Sequence, residues 1–114
     1  MITIHNNEEP LYKLAKEIHE NAVKHGWWED ERNVLEIAAL CHSELSEAVE
    51  EYRAGRGIIY PGVGGKPEGI AVEMADCMIR ILDWFGHEGL DVDAIVREKM
   101  EYNKSRPYKH GKRC

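Results

Sequence analysis

The segment from Ala71 to Phe85 is apolar around nearly its whole helical circumference. Ala71, Val72, Met74, Ala75, Cys77, Met78, Ile79, Ile81, Leu82, Trp84 and Phe85 leave only Glu73, Asp76, Arg80 and Asp83 charged. At about 100° per residue, those four fall on one narrow stripe. A helix apolar all round belongs at the centre of a structure. The rest of the chain must supply the helices that cover it.

Three further helical patterns are present. The first starts after Pro10 and runs to about Lys24, with Leu11, Leu14, Ala15, Ile18 and Ala22 on one side and Gly26 beyond its end. The second runs from Asn33, a good N-cap with Glu36 at the capping-box position, to Arg53, and Gly55 stops it. The central helix is expected from Pro67, which suits a first turn, to about Phe85, with "GHEG" ending it. The fourth is expected from an Asp91 N-cap to Lys104, and Pro107 bars continuation. Only "GIIYPG" hints at a strand. The expected fold is an all-α four-helix bundle in one domain, residues 1–114, with a basic C-terminal segment over about 105–114. With 114 residues the core is limited, so completion by oligomerisation is expected.

Residues 55–69 form a Gly- and Pro-rich connector long enough to serve as a lid. Its "GVGGKP" echoes a phosphate-binding loop, but Pro67 stands where Ser or Thr is required and no strand precedes it.

Composition narrows the class of function. Hydrophobic residues make up 43% and charged residues 32%, and no run of about 18 apolar residues exists. A soluble chain is expected, and the start "MITIHNNEEPLYK" has no export-signal pattern. Cys41, Cys77 and Cys114 are read as reduced thiols of a cytoplasmic protein. The net charge of -6 argues against a nucleic-acid polymer or a membrane as partner. Residues 97–114 nevertheless carry seven basic residues against Glu98 and Glu101. An acidic body with a basic end suits a polyanion held through metal ions, and equally a solvated tail.

The second helix carries an oddity. Ile37, Leu40, Glu44, Glu47 and Glu51 are spaced 3, 4, 3 and 4, one stripe that begins apolar and ends acidic. A neighbouring stripe, Val34, Ala38, Cys41, Leu45, Val49 and Tyr52, stays largely apolar, so Glu44 and Glu47 are expected to border the buried face. Burying several unpaired carboxylates costs several kcal/mol each. A divalent cation is the simplest remedy, and an all-carboxylate set favours Mg²⁺, with Mn²⁺ as a substitute. Two E-x-x-E/D motifs on helices joined by a loop make Glu44, Glu47, Glu73 and Asp76 the expected ligands, with Glu51 as an extra ligand or a group behind them. Neutralisation by Arg80 competes with this reading. A di-iron bundle would need Glu-x-x-His, and no histidine has Glu three residues before it. His42 points away from the acidic stripe. On the fourth helix, Lys99 and Asn103 share the inward face with Val92, Ile95, Val96 and Tyr102, placed for a phosphate chain or for a structural salt bridge.

Taken together, "HSELSEAVEEYR", "KPEGIAVEMADCMIRILD" and "KMEYNKSRPYKHGK" resemble the MazG-like nucleoside triphosphate pyrophosphohydrolases of the all-α NTP pyrophosphatase superfamily. The resemblance spans about Trp28 to Lys112. It implies a homodimer or homotetramer and a Mg²⁺-dependent hydrolysis of a nucleoside triphosphate between the α- and β-phosphates. It implies Glu44, Glu47, Glu73 and Asp76 as catalytic metal ligands and Lys99, Asn103 and Arg106 as phosphate contacts. The spacing of His19, Trp28 and Glu44 is similar to the base-binding side of a dCTP-hydrolysing branch, with Tyr102 as a further base or phosphate contact. Trp27 is read as an anchor of the turn. Two alternatives stand beside this function: a phosphoribosyl-ATP pyrophosphohydrolase-like enzyme, and a non-catalytic helical metal-binding or assembly module.

Overall fold

The structure is a computed structural model that describes residues 9–112. The expectation of no export signal rests partly on residues 1–8, outside the described residues. Arg113, Cys114 and the side chain of His110 lie outside them as well. The described fold is all-α: α1 (Pro10–Lys24), α2 (Val34–Arg53), α3 (Ile70–Glu88) and α4 (Val92–Lys104). A minimal antiparallel hairpin pairs β1 (Tyr60–Pro61) with β2 (Pro67–Glu68), Tyr60 opposite Glu68. No described helix is long and apolar enough to cross a membrane.

Local chemistry explains two of the helix starts. Asn33 accepts from the Glu36 amide and Glu36 answers with the Asn33 amide, a complete capping box. Asp91 caps α4 through the Ala94 amide. The cap of α1 is tertiary. Its N-cap Glu9 makes no side-chain capping bond, and the Leu11 and Tyr12 amides instead donate to Asp93 of α4, at 3.2 and 2.7 Å. Asp93 is buried there, satisfying amides that the helix itself cannot pair.

Helix α3 departs from expectation at both ends. Pro67 lies in β2, not in a first helical turn, because Gly69 (φ 121°) passes against the Ile58 carbonyl and delays the helix to Ile70. At the far end "GHEG" does not stop the helix until left-handed Gly89. Gly86 stays helical and serves close packing: a Cβ there would stand 2.6 Å from the Ala15 carbonyl oxygen of α1.

Helix α3 lies between α1 and α2. Ala15, Leu82 and Val92 form one buried cluster, with Leu11, Ile18 and Phe85 against it. Ile37, Cys41 and Cys77 form a second, flanked by Trp28 and Trp84. The expectation that α3 is buried all round fails. Met74, Met78, Ile79 and Ile81 are 40–55% exposed, because α4 packs chiefly on α1 and one flank of α3 stays open. The buried face of α2 is also rotated from expectation: Ile37, Cys41, Glu44, Ala48 and Glu51 point inward, while Val34, Leu45, Val49 and Tyr52 are exposed. Glu44 therefore sits within the buried face and does not border it.

Candidate metal centre

The α2–α3 contact brings the expected carboxylates together. Glu44, Glu47 and Glu73 each offer one oxygen, and the three atoms lie within 4.8 Å of one another. Glu44 is buried, Glu73 half-buried and Glu47 exposed, so the group opens to solvent on one side. Two E-x-x-E/D motifs deliver this because residues three apart share a helix face, and the two faces meet across the interface. Asp76 belongs to the same electrostatic group: its charge pushes up the carboxyls of both Glu44 and Glu73.

Glu44 is raised from the ordinary glutamate range first by burial, then by a bond to Glu47 and the charges of Asp76 and Glu47. Arg80 opposes the shift. Its Nε lies 3.4 Å from a Glu44 oxygen, close enough for an ion pair but misaligned for a hydrogen bond. Glu73 is raised by burial, then by the Glu47, Asp76 and Glu44 charges. Such a group favours either protons or a cation. One arginine offsets only part of it. The donors are all carboxylate oxygens, a hard set that fits Mg²⁺ or Mn²⁺.

Comparison with protein-family models, curated proteins and solved structures gave no match. The resemblance to the MazG-like enzymes therefore rests on the sequence motifs alone.

Glu51 is not part of the centre. It is buried, takes Arg56 Nε and a terminal guanidinium nitrogen at 3.2 and 3.3 Å, and accepts from the Tyr60 hydroxyl at 2.6 Å. These bonds hold its carboxyl below the ordinary range. They also pin the connector to the end of α2, a role that helical spacing could not reveal.

The other expected site residues divide into two places. His19 and Trp28 meet at Asp83: His19 Nδ1 is 2.8 Å from one carboxylate oxygen, and Trp28 Nε1 donates to both at 3.0 Å. His87 stacks on Trp28 with centroids 4.1 Å apart. Trp28 thus has its N–H and one ring face engaged by its own chain. Asp83, on the charged stripe of α3, is the buried residue that organises this cluster, and its stripe position was the only signal in the sequence. Tyr102 stands apart on α4, with Lys99 at 4.9 Å and Arg106 at 5.8 Å from its ring centroid. Asn103 is half-buried, and its Oδ1 is buried without a hydrogen-bond partner. Among the described residues no hydrogen bond or ion pair joins Lys99, Asn103 or Arg106 to the carboxylate group. His42 is exposed.

Proposed function

We propose that the chain is a Mg²⁺-dependent nucleoside triphosphate pyrophosphohydrolase of the MazG-like type, releasing a nucleoside monophosphate and pyrophosphate. The observation that carries this reading is the convergence of Glu44, Glu47 and Glu73, with Asp76 beside them, on one solvent-open point. These residues would hold the ion. Bound Mg²⁺ supplies charge compensation for the phosphates and acidifies a water. A carboxylate of the group accepts the proton of the attacking water. Neither Ser nor Cys is needed as a nucleophile.

Lys99, Asn103 and Arg106 contact the phosphates in this reading. Lys99 and Asn103 sit on α4 and Arg106 just beyond its end, and α4 packs chiefly on α1. The exposed apolar flank of α2 and α3 (Leu45, Val49, Met74, Met78, Ile81) is covered by a second copy, which brings such cations to the centre. The working unit is therefore a homo-oligomer.

The test is product analysis with a panel of triphosphates and Mg²⁺. Pyrophosphate and monophosphate are expected in equal amounts. Release of orthophosphate alone would place cleavage elsewhere. The Arg80–Glu44 pair favours one second reading, a helical module whose carboxylates are structural. No turnover of any triphosphate, with wild-type stability indifferent to Mg²⁺, would support that reading.

A further inference from the structure

A cavity of about 370 Å³ opens between α1, α2 and α3. Leu14 and Ile79 contribute to its apolar walls, and Glu17, Asn21, Trp27, Arg32 and Arg80 to its polar ones. Arg80 belongs to both places, lining the cavity while its Nε faces Glu44. A molecule in the cavity is thus one side chain away from the carboxylates. Trp27 is 55% exposed, unlike Trp28, and the guanidinium carbons of Arg32 and Arg80 lie 5.7 and 5.9 Å from its ring centroid. The buried Nε of Arg80 has no hydrogen-bond partner.

We propose that this cavity binds the base of a 6-oxopurine nucleotide. Trp27 offers a half-exposed ring for stacking, with the Arg32 and Arg80 guanidinium groups already beside it. Arg32 and Arg80 offer donors only, and a guanidinium fork matches the adjacent O6 and N7 acceptors of guanine or hypoxanthine. Glu17 offers acceptors only, suited to the ring N1–H and, in guanine, the exocyclic amine. Adenine would set its N6 amine against the guanidinium groups. Cytosine presents an amine and a smaller stacking surface. The one other cavity-lining carboxylate, Asp83, is already engaged by His19 and Trp28.

The inference rests on the pyrophosphohydrolase reading for the position of the phosphates and not for the choice of base. Calorimetric titration of the full chain with GMP, IMP, AMP, CMP and UMP, without divalent ion, separates the two. GMP and IMP are expected to bind at least about 10-fold more tightly than the other three. Trp27→Leu and Glu17→Gln, each checked for helicity, are expected to weaken GMP by about 10-fold. Equal or tighter binding of AMP, CMP or UMP overturns the assignment. So does a GMP affinity unchanged in both folded variants. Pyrophosphate release from triphosphates without base preference would sink the cavity assignment and leave the reaction standing. GMP binding without pyrophosphate release would do the reverse.

Discussion

Arg80 Nε lies 3.4 Å from Glu44 Oε2, so the charged stripe of α3 meets the acidic stripe of α2 through an ion pair. Both side chains are largely shielded, Glu44 more than Arg80, which places the pair between a surface bridge and a buried one. Arg80→Gln is expected to cost the metal-free protein about 1–2 kcal/mol, several degrees of melting temperature. It should also enlarge the melting shift that Mg²⁺ produces, because a competing cation is gone. A variant with wild-type melting and an unchanged Mg²⁺ shift would contradict this.

Charge removal within the acidic group should separate function from folding. Glu47→Gln and Asp76→Asn each relieve repulsion, so the metal-free variants are expected to melt at or above wild type. Both should lose the stabilisation by Mg²⁺ and about 100-fold or more of pyrophosphate release. A large drop in metal-free melting temperature in both variants would instead mark these carboxylates as structural.

The pH dependence of stability follows from two opposed shifts. Glu44 and Glu73 are raised, chiefly by burial and by neighbouring acids. A raised carboxyl binds more protons folded than unfolded, so stability falls as pH climbs from the ordinary glutamate range through the raised value. Glu51 is depressed by Arg56 and Tyr60. Its contribution is present above the ordinary range and is lost as pH falls through the depressed value. Metal-free protein should melt highest at mildly acidic pH. Saturating Mg²⁺ should move that maximum towards neutrality, since the ion needs ionised ligands. Scanning calorimetry from acid to neutral pH, with chelator or Mg²⁺, reads both.

The Glu51 anchor can be released on its own. Tyr60→Phe removes a 2.6 Å bond to a buried carboxylate while Arg56 remains. About 1–2 kcal/mol of stability should be lost. Amide exchange should speed up over residues 57–69 more than in α1 or α3. Uniform acceleration across the chain would show that the connector is not separately held.

A shared site predicts complementation between chains. Lys99→Ala and Glu47→Gln are each expected to be inactive alone. Mixed and re-equilibrated, they should recover up to about a quarter of wild-type activity if one site draws on two chains. Met78→Glu, on the exposed flank, should shift sedimentation to the monomer and abolish turnover. An active monomer would overturn the oligomeric reading.

Much of this was legible in the sequence because it is a property of one helix at a time. Asn33 with Glu36 and Asp91 with Ala94 set helix starts within four residues of chain. The 3-and-4 spacing put Glu44 with Glu47, and Glu73 with Asp76, on common faces. What periodicity cannot supply is the direction a face takes, since that depends on a neighbour from elsewhere in the chain. Only the tertiary structure turned Glu44 inward and Val49 outward. It gave Glu51 to Arg56 and Tyr60, Trp28 to Asp83 and His87, and the amides of α1 to Asp93, 81 and 82 residues away. It also packed α4 mainly on α1. The acidic motifs were written locally. Which of their oxygens converge was decided by how α2 and α3 pack.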